Sequence, residues 1–238
     1  MTELQTHTEQ IIMLAWSRIL GLDDDGLQTA QPGIRVDAPD DAANAVTLVQ
    51  LFGRTVLFGP SEVLAAAREV PDEELALETR LLQVCRSVSA GARAVGEAHL
   101  LFCEEPPQVE GSDTVSISFN AEHVHQLTTQ SPADDVARSG LEQARWTAAV
   151  VREDTAQTVA AAGVEVWHQV LGHLGVLTDP QHRGLGLGRF AAAVAAEEAF
   201  TDGLIPQWRA AAESPGSLRM AIDLGFARSG HQTTVALR

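Results

Sequence analysis

Residues 173–202 read HLGVLTDPQHRGLGLGRFAAAVAAEEAFTD. A short apolar run ends in the turn Thr178-Asp179-Pro180. A basic, glycine-dense loop follows from Arg183 to Arg189, and an alanine-rich helical pattern begins at once. The order strand, glycine loop, helix aims several backbone N–H groups and a helix N-terminus at one place. Those N–H groups lack partners within the helix and the helix dipole is positive there, so the place suits an anion. Glycine allows close approach to the backbone and the positive φ that such a turn demands.

Three readings of the loop compete. A P-loop needs G-x-x-x-x-G-K-[ST], and no lysine lies near. A dinucleotide fingerprint is matched only by Gly186-x-Gly188-x-x-Ala191, and the turn from Asp179 to Arg183 separates those glycines from the strand that should abut them. A glycine-rich surface turn is the plain alternative.

Family resemblance favours another phosphate ligand. Arg183-x-x-Gly186-x-Gly188 resembles the (Q/R)-x-x-G-x-(G/A) motif of the GNAT N-acetyltransferase superfamily, and Val176-Leu177-Thr178-Asp179-Pro180 is similar to the strand and V-x-P turn that lead into it. Toward the C-terminus, Ser217 with Gly225-Phe226 has the spacing of the N-x-x-S…G-F helix of the FR47-like branch, with Ser214 in the asparagine place. The resemblance is good from about 143 to 238 and extends to about 113. It implies an α/β (α+β) GNAT fold, a mixed central sheet with splayed strands flanked by helices, and an N-terminal α/β extension.

Composition narrows the classes further. The chain has 238 residues, 45% of them hydrophobic, enough for one large core or two modest ones. A net charge of −16 argues against a nucleic-acid or anionic-membrane partner. Two cysteines, Cys85 and Cys103, make neither a disulfide framework nor a zinc pattern, so a reducing cytoplasm is expected. The start is polar, without the apolar core of a signal peptide, and no apolar run reaches the ~18 residues of a membrane helix.

Along the chain, apolar spacing predicts a helix over 7–20, stopped by Gly21 and the Asp23-Asp24-Asp25-Gly26 run, which lacks the alternation of a calcium loop. Two β-rich runs flank Gly53 as a hairpin or bulged pair. A helical stretch opens at Pro60-Ser61, a second spans Asp72 to Ala90, and Leu100–Cys103 is a short buried strand. The acidic, proline-rich segment from Glu104 to Ser112 is the expected boundary between an accessory region, 1–110, and a GNAT domain, 111–238.

Beyond it come a strand at Val115–Phe119, helices near 120–129 and 133–142, and a three-strand meander over 147–151, 158–166 and 170–178. A helix over 187–199 buries Leu187, Phe190, Ala191, Val194 and Ala195, and a strand covers 204–211. Ser214 caps a last helix, and Thr233–Leu237 closes the sheet. His123 and His125 form an H-x-H pair with no evident third ligand, so no metal site is assigned.

The resemblance implies acetyl transfer from acetyl-CoA to a primary amine of a small molecule or peptide. It implies that Arg183, Gly184, Leu185, Gly186, Leu187, Gly188 and Arg189 hold the pyrophosphate, with the guanidiniums adding charge. Val176, Leu177 and Thr178 would hold the pantetheine arm and thioester oxygen, Ser214 and Ser217 would line the same cofactor, and strands 170–178 and 204–211 would frame the slot. Relatives place a tyrosine acid at Ala221, and this chain has no tyrosine. Ser217 is the remaining candidate donor. For the base, the glutamate place of some relatives is Gly172; the candidates here are its neighbour His173 and, on the adjoining strand, Glu165. Two other readings stay open: a catalytically weak acyl-CoA-binding module, and an N-terminal interaction part that makes a homodimer.

Overall fold

In the computed structural model, which describes residues 3–109, 111 and 113–237, a single mixed sheet runs through the molecule. The N-terminal region contributes helices α1 (Thr6–Ile19) and α2 (Gly26–Thr29) and strands β1 (Arg35–Pro39), β2 (Ala45–Leu51) and β3 (Arg54–Gly59). Helices α3 (Ser61–Ala67), α4 (Asp72–Leu75) and α5 (Glu78–Val88) follow, then the long strand β4 (Arg93–Phe102). The second half comprises β5 (Val115–Ser118), α6 (Ala121–Gln130), α7 (Ala133–Ser139), β6 (Trp146–Arg152), β7 (Thr158–Trp167) and β8 (Leu171–Thr178). It ends with α8 (Leu187–Thr201), β9 (Ile205–Ala211), α9 (Pro215–Asp223) and β10 (Ala227–Ala236).

Ten strands, counted among the described residues, lie in the order β1-β3-β2-β10-β4-β9-β8-β7-β6-β5. Neighbours are antiparallel except β1 with β3 and β8 with β9. The β6-β7-β8 meander matches expectation, and its second turn carries His168 and Gln169, both at positive φ, in the manner of a tight hairpin. The loop to α8 begins with Asp179, whose side chain accepts from the Gln181 amide at 3.0 Å and meets His182 Nδ1 at 3.0 Å.

Two sets of helices sandwich the sheet. Trp16, Ile12 and Leu27 of α1 and α2 pack on Phe102, Leu100, Val49 and Leu171, while Leu127 of α6 covers Ala161 and Leu177 beside them. The opposite face carries α8 and α9 over Val164, Leu174 and Trp208, with α3–α5 over Val46, Leu48 and Val235. Alternation along each strand assigns neighbouring residues to opposite faces. Small residues bring α8 close: Ala191, Ala192, Ala195, Ala196 and Ala199 are buried, and a Cβ on Gly172 would meet that of Ala199 at 2.8 Å. Leu187, Phe190 and Val194, expected in the buried face, are only partly covered.

Several expectations need correction. The helix expected over Asp72–Ala90 is two helices, because Leu77 is extended, the Ala76 carbonyl accepts from Thr233 Oγ1 and the Glu78 amide donates to Glu97 Oε1. The short strand at Leu100–Cys103 is the end of β4, a ten-residue strand. The strand expected at Thr233–Leu237 starts at Ala227 and does not close the sheet. It lies between β4 and β2, with β1 and β5 at the edges. Sheet pairing therefore crosses the expected boundary: β4, from the first half, is inserted between β9 and β10 of the second. Glu110 and Ser112, within that boundary, lie outside the described residues. Among the described residues no helix is long and apolar enough to cross a membrane.

Candidate functional site

The parallel strands β8 and β9 pair only over Leu171–His173 and Ile205–Gln207. Beyond His173, β8 continues to Thr178 against β7, and β9 continues to Ala211 against β4, but the two no longer meet. A wedge therefore opens in the middle of the sheet. Val176, Leu177 and Thr178 form its β8 edge, where the backbone N–H and C=O groups of alternate residues face away from β7.

The glycine loop sits at the open end of that wedge. Gly184 and Gly186 have φ of 77° and 79°, in the left-handed region where glycine is favoured, and nothing lies within 4 Å of either Cβ position. Gly188 is buried, and a Cβ there would collide with Thr178 Oγ1, so this glycine lets α8 rest on the end of β8. The first helical bond closes from the Phe190 amide to the Gly186 carbonyl, leaving the Leu187, Gly188 and Arg189 amides as the unpaired donors of the helix start. No side chain caps that end and its first turn holds no acidic residue. Leu185 is exposed at the tip. Open glycines, free donors and the positive dipole end fit a pyrophosphate.

Arg183 does something other than expected. Its guanidinium forms an ion pair with Asp135 of α7 at 2.7 Å, so it ties the loop to α7 instead of offering a free charge. Arg189 is exposed on the first turn of α8. Ser214 occupies the N-cap position of α9 with Pro215 next, but its side chain makes no capping bond, again a correction. Ser217 is more tightly engaged: its Oγ accepts the Trp208 indole N–H at 3.0 Å. A hydroxyl that accepts in this way keeps its own hydrogen free to donate. The place of the missing tyrosine, Ala221, is fully buried.

Glu165 and His173 are direct cross-strand partners of β7 and β8, and His173 is in turn opposite Gln207 of β9. All three therefore share the face covered by α1, whereas Trp208 and Ser217 belong to the α8–α9 face. The structure thus separates the expected base candidates from the expected acid candidate, and the wedge lies between them. Burial, with the Arg209 charge adding to it, lowers the His173 pKa to about 3, so its imidazole stays neutral near pH 7.

Sequence reasoning missed two members of this cluster, Arg209 and Gln207. Arg209 places its guanidinium 5.7 Å from the centre of the Trp167 ring, and the Trp167 and His173 rings lie 4.6 Å apart. Gln207 approaches His173 Nδ1 at 3.5 Å and accepts the Trp16 indole N–H at 3.0 Å. Helix α1, from the region that carried no nameable chemistry, thereby holds the floor of the site. An arginine and a glutamine within an apolar strand give no local signal of this.

No curated protein matches the chain. Residues 149–235 match the model of the GNAT acetyltransferase family. A GCN5-related N-acetyltransferase-like protein from Streptococcus suis superposes over 97% of this chain and 98% of its own, at 15% identity and TM-score 0.52. A Drosophila protein superposes over 67% of this chain and 57% of its own, at 14% identity and TM-score 0.51. A GCN5-related N-acetyltransferase from Kribbella flavida matches 66% of this chain and 63% of its own, with 18% identity and TM-score 0.49. This chain spans less than two thirds of the length of the latter two. The fold is the GNAT fold, with a GNAT acetyltransferase domain matched over residues 149–235.

Proposed function

We propose that the chain is an acetyl-CoA-dependent N-acetyltransferase acting on a primary amine of a small molecule or peptide in a ternary complex. The observation that carries the reading is the wedge between β8 and β9 directly beneath the glycine loop. When bound, acetyl-CoA supplies an activated acetyl thioester. The amides of the 184–189 loop hold its pyrophosphate, and the free edge of Val176–Thr178 orients the arm beyond it.

Glu165 would take the proton that the acceptor amine gives up. His173, at a pKa of about 3, is too weak a base to hold that proton near neutrality. It presents a neutral ring against Trp167 and Gln207, which fixes the wall of the acceptor side. Ser217, on the other face, would hydrogen-bond the cofactor sulfur with its free hydrogen or relay a proton to it from water, in place of the absent tyrosine. The Ser217…Gly225-Phe226 spacing supports placement in the FR47-like branch, and the buried thiols of Cys85 and Cys103 fit a cytoplasmic setting.

Calorimetric titration with acetyl-CoA, NAD and ATP tests the loop, and thiol release against an amine panel tests turnover. Binding of acetyl-CoA alone followed by thiol release is expected. Failure of acetyl-CoA to bind would overturn the reading. Ala221 in the tyrosine place favours a second reading, a catalytically weak acyl-CoA-binding module, which binding without turnover of any amine would select.

A further inference from the structure

Arg209 stands at the splayed part of β9, on the face shared with Glu165 and His173. It is largely enclosed, and burial depresses its pKa although the Glu165 charge opposes the fall. Its Nε is buried with no hydrogen-bond partner, and among the described residues no carboxylate forms an ion pair with it. A guanidinium has five donors in a planar fork suited to a carboxylate, and an enclosed one without an anion is destabilising. The surroundings supply no such anion: Trp167 offers a π face, His173 a neutral ring, and Gln207 is already engaged by Trp16. The Glu165 charge acts on it without forming an ion pair. Trp167 also lines a cavity of about 380 Å³ with Ile19, Val166 and His168.

We propose that Arg209 is a specificity-determining residue that receives a carboxylate of the acceptor, so that the preferred substrates are primary amines bearing a carboxylate, with free amino acids the smallest members of the class. The inference rests on the acetyltransferase reading above. The guanidinium binds the acceptor carboxylate against Trp167 while Glu165, across the same face, meets the amine. One acceptor thereby satisfies both unpaired charges.

The test uses the full chain with acetyl-CoA and matched acceptors: phenylalanine, phenethylamine and phenylalaninamide, with the same three forms of leucine and glutamate. The carboxylated member of each set is expected to show a kcat/KM about a hundredfold or more above its partners, since a site built around a polar group rejects ligands that lack it. In Arg209→Met, which keeps volume and removes the charge, that ratio falls toward one, and Arg209→Lys keeps part of it. Thermal melts establish that the variants fold, and Arg209→Lys carries the test if Arg209→Met does not. Calorimetry with the amino acids gives a readout independent of turnover: affinity is lost in Arg209→Met.

Equal treatment of carboxylated and decarboxylated acceptors would overturn the proposal while leaving the acetyltransferase reading intact. So would an Arg209→Met variant whose defect lies in acetyl-CoA affinity with the ratio unchanged, since the guanidinium would then serve the cofactor. Binding of acetyl-CoA with no affinity for any amino acid also overturns it. Absence of acetyl-CoA binding in the unaltered chain is the distinct outcome that removes the underlying function.

Discussion

The Trp208 indole donates to Ser217 Oγ at 3.0 Å, joining β9 at the wedge to the first turn of α9. The bond fixes the direction in which Ser217 can donate. Ser217→Ala leaves a buried indole N–H without its partner, and stability is expected to fall by about 1 kcal/mol. If Ser217 delivers the proton, kcat should fall roughly ten- to a hundredfold as well, with acetyl-CoA affinity little changed. Thermal melts and steady-state kinetics on one preparation check both. A loss of stability at unchanged kcat would leave Ser217 a packing residue.

Glu165 and His173 face each other across β7 and β8, and the lowered pKa of His173 removes it as the base. Glu165→Gln is expected to lower kcat by about 10²–10⁴-fold, while acetyl-CoA still binds. His173→Gln should cost much less in kcat. A larger loss in His173→Gln than in Glu165→Gln would reverse the assignment.

The same histidine predicts a pH dependence of stability. Its folded pKa of about 3 lies below the ordinary value near 6.5, so between these limits the unfolded chain binds the extra proton. The stability contributed by the neutral ring is complete above about pH 6.5 and is lost as pH falls toward about 3, by at most ~1.4 kcal/mol per pH unit. Urea unfolding of the unaltered chain and of His173→Gln between those limits should converge as the pH drops. Parallel curves would mean that His173 titrates normally.

The loop glycines have different reasons for being glycine. Gly184 and Gly186 have open space at Cβ but positive φ, so alanine there strains the loop by about 1–2 kcal/mol and should weaken acetyl-CoA binding while the fold persists. Gly188 has a helical position but Thr178 Oγ1 in its way, so any side chain must displace that hydroxyl where α8 rests on β8. Gly188→Val is therefore expected to lower the melting temperature as well as the affinity, and Gly186→Ala is the cleaner probe of the loop. Unchanged acetyl-CoA affinity in folded Gly186→Ala would separate the loop from the cofactor.

The meander and the glycine loop were legible in sequence because their signals are local. Alternation of period two marks the strands, and the turns His168-Gln169 and Asp179-Pro180 carry their own chemistry. Strand β4 was not legible beyond its apolar end. Arg93, Glu97 and His99 make its first part look like surface, and its partners Gln207 and His231 lie more than a hundred residues downstream. The break between α4 and α5 depends on Thr233 and Glu97, equally remote. The role of Arg209 likewise arises only when three strands bring Trp167, Glu165 and His173 beside it. A residue whose meaning lies in its tertiary neighbours carries no mark in its own window.

The position of β4 leads to a last prediction, on the division at residue 110. Its backbone pairs on one side with β9, from Ala98 against Ala211 to Phe102 against Gln207, and on the other with β10. A fragment of residues 111–238 would expose the facing edges of β9 and β10, strip Leu101 and Phe102 from the two cores, and remove the Trp16 bond that holds Gln207. Unpaired central edges are aggregation-prone. The fragment alone is therefore expected to be insoluble or unfolded, whereas co-expression with residues 1–110 should restore a folded complex that binds acetyl-CoA. Circular dichroism and calorimetry on both preparations decide the matter. A fragment 111–238 that folds and binds by itself would show that the accessory region is dispensable and that β10 can close onto β9 without β4.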